Sequence, residues 1–228
     1  MTIDILQLIL SNLSTIAELK KEPVKFLQIG AHDGLHYDPI SPYIRKHHWE
    51  GILVEPQPEI FKRLVRNYEG QEGLVFENIA IGNETGEMRL YRFKEGQGLH
   101  DHSTMLCSFN KDFIVNNGHN YKHEIEEIKV PCLTLDDLLF KHNITYIDVL
   151  QIDTEGFDFE ILKMVNNSVI HPTVIHFEHA FKGGDELNNY YKMLESMGYR
   201  TAVLGIDTVA LLQEDKYKFC EYLGGIPR

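Results

Sequence analysis

Apolar residues recur along this chain in two rhythms, one helical and one extended. Ile5, Leu6, Ile9, Leu10, Leu13, Ile16 and Ala17 fall at helical spacing, which predicts an amphipathic helix ending near Lys20, with Pro23 as the break. Its apolar stripe is suited to a sheet edge or to a second subunit, so a homo-oligomer is one expectation. Residues 24–29 read as a buried strand and 38–48 as a helix with Pro39 and Pro42 near its start. Residues 51–55 form a second strand. Pro58 opens a helix that puts Phe61, Leu64, Val65 and Tyr68 on one face. Residues 74–76 make a short third strand leading into Asn78-Ile79-Ala80-Ile81-Gly82.

The rhythm then changes. Asn83-Glu84-Thr85-Gly86 is a turn, and residues 87–93 alternate as an added strand. From 94 to 127 periodicity fades into Gly, His, Asn and Ser, which predicts a long insert acting as a substrate lid. Strand character resumes at 129–133, and Thr134 is placed to cap the helix that follows. Residues 146–152 are apolar except for Asp148 and Gln151, and end in Asp153-Thr154-Glu155-Gly156. A helix over 157–165 and a strand over 173–177 follow, the strand closing on Glu178-His179. Leu187, Tyr190, Tyr191, Leu194 and Met197 mark a last helix, stopped by Gly198. A hairpin over 199–212 turns at 205–208. Strand–helix alternation predicts an α/β fold of three layers around a doubly wound, mostly parallel sheet. The expected organisation is an N-terminal helix (1–22) and one domain (23–228).

Composition narrows the partners. The chain has 228 residues, enough for one domain with a substantial core. Its formal net charge of −12 disfavours nucleic acid and anionic membranes as partners. Cys107, Cys132 and Cys220 are far apart and show no CxxC spacing, which suggests neither zinc nor a disulfide framework. Reduced thiols in a cytoplasmic protein are the simple expectation. No stretch reads as a signal peptide, and no apolar run is long enough to span a bilayer.

Candidate chemistry collects where the predicted strands end. In doubly wound sheets, ligands bind beyond the carboxyl ends of the strands. The first strand ends in Gly30-Ala31-His32-Asp33-Gly34, where a glycine lets backbone approach a nucleotide-like ligand. The spacing is not Gly-x-Gly-x-x-Gly, which weakens a pyrophosphate cofactor. Glu55 ends the second strand, where a carboxylate can accept hydrogen bonds from both ribose hydroxyls. Asp153 and Glu155 could bind an ammonium group, hold a divalent cation through oxygen, or take a substrate proton. The competing reading for these acids is dipole stabilisation at a helix start. Glu178 with His179 offers a base and its orienting partner. His100-Asp101-His102 has metal-binding residue types, but neighbours in a loop rarely converge on one ion. No metal ligand is therefore assigned, and metal dependence stays open.

Four blocks in order resemble the FkbM family of class I S-adenosylmethionine-dependent methyltransferases. They are Leu27-Gln28-Ile29-Gly30-Ala31-His32-Asp33-Gly34, Val54-Glu55-Pro56, Ala80-Ile81-Gly82-Asn83 and Ile152-Asp153-Thr154-Glu155-Gly156. The resemblance covers roughly residues 24–181. It implies a seven-stranded sheet with the last strand antiparallel, and methyl transfer to a hydroxyl of a sugar, glycan or other natural product. It places the cofactor's methionine end over Gly30 to Gly34, its ribose on Glu55 and Pro56, and its adenine near Ile79 and Ala80. Asp153 falls at the transfer face. The family usually has an acid where Gln28 stands and Asn where His32 stands, which would leave the methionine amine to Asp153. An alcohol needs a base to lose its proton, and Asp153 or His179 would serve, with Glu155 orienting the acceptor. Ser103, Thr104 and Glu178 would contact the acceptor, a small molecule or glycan. The rivals are a nucleotide-sugar or NAD-dependent oxidoreductase and a non-catalytic module of the same fold. For the first, Tyr217-Lys218 lacks the Tyr-x-x-x-Lys spacing of hydride chemistry.

Overall fold

A computed structural model describes residues 4–94, 104–118, 125–180 and 182–214. In chain order the strands are β1 (Lys25–Ile29), β2 (Glu50–Val54), β3 (Leu74–Glu77), β4 (Ala80–Ile81), β5 (Gly86–Phe93), β6 (Cys107–Ser108), β7 (Ile125–Leu133), β8 (Val149–Ile152), β9 (Val174–Glu178), β10 (Tyr199–Leu204) and β11 (Asp207–Leu212). The helices are α1 (Ile5–Lys20), α2 (Ser41–His47), α3 (Pro58–Asn67), α4 (Lys111–Asn117), α5 (Leu135–Lys141), α6 (Asp158–Asn167) and α7 (Gly184–Ser196).

The main sheet has seven strands in the order β3-β2-β1-β8-β9-β11-β10. β11 alone runs antiparallel to its neighbours β9 and β10. The chain winds outward from β1 to β3 and then returns beside β1 as β8, so the order reverses between those two strands. Such a reversal opens a crevice at the carboxyl ends of the strands. Side-chain alternation sorts the core into two layers. Leu27, Ile52, Leu150, Ile175 and Phe177 face α5, α6 and α7, whereas Phe26, Leu53, Val149, Val174 and Val209 face α1, α2 and α3. The three-layer doubly wound architecture and the closing antiparallel hairpin are therefore as the sequence implies.

Several boundaries move for identifiable reasons. α2 begins at Ser41 because Asp38 Oδ1 accepts the N–H groups of Ile40 and Ser41 (3.0 and 2.9 Å), holding residues 38–40 in a turn. The hairpin turn is only Gly205-Ile206, with Gly205 at φ +69°, so Asp207 already lies in β11. Thr134 caps α5 as expected, its hydroxyl accepting the Asp137 N–H at 3.1 Å.

The insert differs most. It contributes to a second sheet of order β4-β7-β5-β6, built on a long β5–β7 ribbon. Ile125-Glu126-Glu127-Ile128 looks like loop because it is charged, yet it is strand. Arg92 pairs with Glu126 at 2.9 Å and Arg89 with Glu127 at 3.6 Å across the ribbon. The insert also holds β6 and α4. Residues 95–103 and 119–124, including Ser103 and His100-Asp101-His102, lie outside the described residues, as do Tyr217, Lys218 and Cys220.

Candidate cofactor and acceptor site

The carboxyl ends of β1, β2 and β8 open onto a cavity that is partly continuous with solvent. Gly30, His32, Glu55, Pro56, Ile79, Ala80, Asp153 and Glu155 line it, so one wall gathers residues from four distant parts of the sequence. Ile81, Leu90, Phe109 and Phe157 supply apolar surface. The close approach of β1 and β8 depends on Gly30. A Cβ there would lie 1.7 Å from the Asp153 carbonyl oxygen, and its φ is +83°.

Glu55 is the best-defined polar feature. It is 3% exposed, and its two oxygens accept the backbone N–H groups of His32 (3.0 Å) and Gln57 (2.9 Å). Each oxygen keeps a second lone pair for a ligand donor. Burial pushes its pKa up to about 7, against the pull of those hydrogen bonds. His32 sits beside it at φ +45°, its Nε2 bonded to Thr104 Oγ1 at 3.1 Å. Its buried Nδ1 lies 3.5 Å from Asp33 Oδ1, and burial lowers the ring's pKa against the pull of that carboxylate. Glu155, on the same wall, also has a left-handed backbone, at φ +53°. Non-glycine residues held there carry strain that clusters at functional loops.

Not every residue of the glycine turn reaches the cavity. Gln28, Ala31, Asp33 and Gly34 are absent from its wall. Asp33 Oδ1 accepts the N–H groups of Leu35 and His36, so it shapes the turn. Ala31 packs in the core layer with α1. A Cβ on Gly34 would lie 2.4 Å from the Tyr68 ring, so that glycine makes room for α3 and its following residue. Gln28 is buried under the turn.

A second, wider cavity of about 910 Å³ adjoins the first and is open to solvent. Met105, Asp153 and Glu155 line both, and Glu178 lines only the second. Burial and surrounding carboxylates hold Asp153 and Glu155 well above the usual carboxylate range. Glu178 is pushed up to about 7 by burial, Asp158 and Asp207.

His179 lies apart from both cavities. Val174, His176 and Glu178 share one face of β9, and the next residue turns to the other. His179 Nδ1 is accordingly bonded to Thr208 Oγ1 at 3.0 Å, and the ring lines neither cavity. Its adjacency to Glu178 in sequence separates the two in space.

Thr104 ties part of the insert over the first cavity. Besides its bond to His32, its carbonyl accepts Gln57 Nε2–H at 3.0 Å. Met105, Cys107, Ser108 and Phe109 escape sequence reading because their placement depends on β6 pairing with β5. Gln151 and His176 also escape it, although a polar residue inside an apolar strand run is a signal. Cys107 and Cys132 are free thiols, and burial pushes both up. Among the described residues, no group of three or more His, Cys, Asp or Glu side chains is arranged to hold a metal ion. No helix among them is long and apolar enough to cross a membrane.

The donor set fits S-adenosylmethionine. An apolar slot beside a buried carboxylate with free lone pairs suits a purine nucleoside. The Methyltransferase FkbM domain matches residues 28–201. No curated protein matches. Among solved structures, the N-terminal domain of human METTL16 has 11% identity and a TM-score of 0.49, over 94% of this chain and 72% of that one. The precorrin-6y C5,15-methyltransferase of Geobacter metallireducens has 12% identity and a TM-score of 0.44, over 83% and 80%. An RNA methyltransferase from Salinibacter ruber, in complex with S-adenosyl-L-homocysteine, has 14% identity and a TM-score of 0.39, over 91% and 92%. With the family model spanning most of its length, the chain belongs to the FkbM methyltransferase domain family and is an S-adenosylmethionine-dependent methyltransferase.

Proposed function

We propose that the protein methylates a hydroxyl oxygen of a sugar, glycan or other natural product. The observation that carries this reading is the junction of the two cavities at Asp153 and Glu155. One cavity has the features of a nucleoside site, the other is lined with hydrogen-bonding groups, and two carboxylates belong to both. Glu55 would hold the ribose, with Pro56, Ile79, Ala80 and Phe157 around the base. When bound, the cofactor supplies an electrophilic sulfonium methyl group.

The chain's own residues have three tasks. Positioning the acceptor beside the cofactor makes the displacement effectively intramolecular. Asp153 takes the proton as the acceptor oxygen loses it, and its raised pKa makes it a stronger base than an ordinary carboxylate. Glu155 orients the acceptor hydroxyl. The free thiols of Cys107 and Cys132 support a reducing compartment such as the cytoplasm.

The test is to incubate the protein with methyl-labelled S-adenosylmethionine and an extract of its own source cells. The labelled product is then identified by mass spectrometry. A base-stable methyl ether on a small molecule or glycan is expected. Label found as a carboxyl ester, on nitrogen or in nucleic acid would refute the reading.

A further inference from the structure

The second cavity is built for more than a hydroxyl. Strand pairing sets Gln28, Gln151 and His176 side by side across β1, β8 and β9. Toward the strand ends, Glu178 and Asp207 are paired across β9 and β11. Gln151 and His176 are only 3% and 5% exposed, yet both line the cavity. Gln151 Nε2 turns to the Ile152 carbonyl (3.4 Å), which leaves its Oε1 to take the Nδ1–H of His176 at 2.8 Å. His176 Nε2 then carries a lone pair and has no partner among the described residues. Burial lowers the ring's pKa to about 4, so it stays neutral near pH 7.

The charge around this histidine is one-sided. Asp4, Asp153, Glu155, Glu178 and Asp207 line the cavity, with no Lys or Arg among the lining residues. None of these five forms an ion pair with a described side chain. Asp4 is exposed and the other four are half-buried. Crowded half-buried carboxylates without a counter-charge hold one another toward the protonated form, and a bound cation relieves that cost. They are not gathered closely enough to hold a metal ion. The cation that suits them is organic, and a phosphate-bearing acceptor would be repelled. Asp153 and Glu155 also face the first cavity and are shared between the two. Glu178, Asp207 and His176 line only the second.

We propose that the acceptor carries a protonated amine beside its reacting hydroxyl, with Glu178 and Asp207 receiving the ammonium and His176 Nε2 accepting a hydrogen bond from a neighbouring donor. This rests on the methyltransferase reading above and narrows its acceptor to amino-bearing polyols, amino sugars among them. It separates acceptor recognition (β9 and β11) from cofactor binding (β1 and β2).

The experiment has two arms, both preceded by calorimetry with S-adenosylhomocysteine. In the first, protein saturated with that product is titrated with glucosamine, N-acetylglucosamine, glucose and glucuronate, followed by ligand-observed NMR. Glucosamine is expected to bind about tenfold tighter than the uncharged sugars, with glucuronate weakest. A Glu178→Gln/Asp207→Asn variant is expected to lose that preference while keeping its S-adenosylhomocysteine heat and melting temperature. In the second, the labelled transfer assay is run on extract before and after N-acetylation in water, which removes amine charge and spares hydroxyls. Labelling is expected to drop at least about tenfold. The absence of a glucosamine preference, a preference that survives the double substitution, or labelling indifferent to N-acetylation each overturns the proposal. Absent S-adenosylhomocysteine heat in the unmodified protein overturns the methyltransferase reading instead.

Discussion

Glu55 shows how one buried carboxylate couples pH, stability and ligand binding. Its pKa rises from 4.5 to about 7 on folding. A carboxylate raised in this way stabilises the fold below its unfolded pKa, and that contribution is lost as pH climbs from about 4.5 to 7. The gap corresponds to roughly 3 kcal/mol. Urea unfolding of Glu55→Gln should therefore show a smaller loss of stability between pH 5 and pH 8 than the unmodified protein. A ribose diol donates to the ionised form, so affinity for S-adenosylhomocysteine should decline below pH 7, and Glu55→Gln should flatten that profile. Calorimetry across pH 5.5–8 checks both statements. Asp153 answers a different question. Asp153→Asn should lower turnover by roughly 10²-fold or more while S-adenosylhomocysteine still binds within about tenfold. Unaltered turnover in that variant would remove Asp153 from the mechanism.

At the scale of elements, the site depends on two strands meeting closely at the switch point. The Gly30 Cβ position is occupied by the Asp153 carbonyl, 1.7 Å away, and a flexible side chain cannot yield there because the obstacle is backbone. Gly30→Ala should cost more than about 3 kcal/mol, or prevent folding, as read from thermal unfolding. Thr134→Ala is the mild counterpart. It removes one cap hydrogen bond from α5 and should cost about 1 kcal/mol, a drop of about 2–4 °C in melting temperature. A larger loss would show that Thr134 does more than cap. Its backbone N–H donates to Thr85 Oγ1 at 3.2 Å, so the turn before β5 is joined to α5 at this point.

For the whole molecule, cofactor binding and folding are linked. A ligand that binds only the folded state at 100 times its dissociation constant adds about 2.7 kcal/mol. S-adenosylhomocysteine at that excess should raise the melting temperature by about 5–10 °C, whereas NAD at the same concentration should leave it unmoved. The reverse result would favour the oxidoreductase reading. The net charge of −12 is spread unevenly, with five carboxylates around one cavity. Long-range steering by that field favours cationic over anionic acceptors, an effect that weakens as salt is added.

Period and punctuation in the sequence determined the strand–helix alternation, the cap at Thr134, the closing hairpin and the strand ends that carry Gly30, Glu55 and Asp153. These are local properties, set by side-chain spacing and by residues with special backbone freedom. What lay beyond the sequence was which residues of those ends face the same space. Asp33 and Gly34 adjoin Gly30 in the chain but build the turn, and His179 adjoins Glu178 yet turns to the opposite face. Strand alternation reverses direction at every residue, so closeness in sequence carries little information about a shared cavity. The β5–β7 ribbon and the Gln151–His176 pair were likewise decided by tertiary pairing. Cross-strand ion pairs and a buried hydrogen bond satisfy polar residues that, read alone, argue against a packed strand.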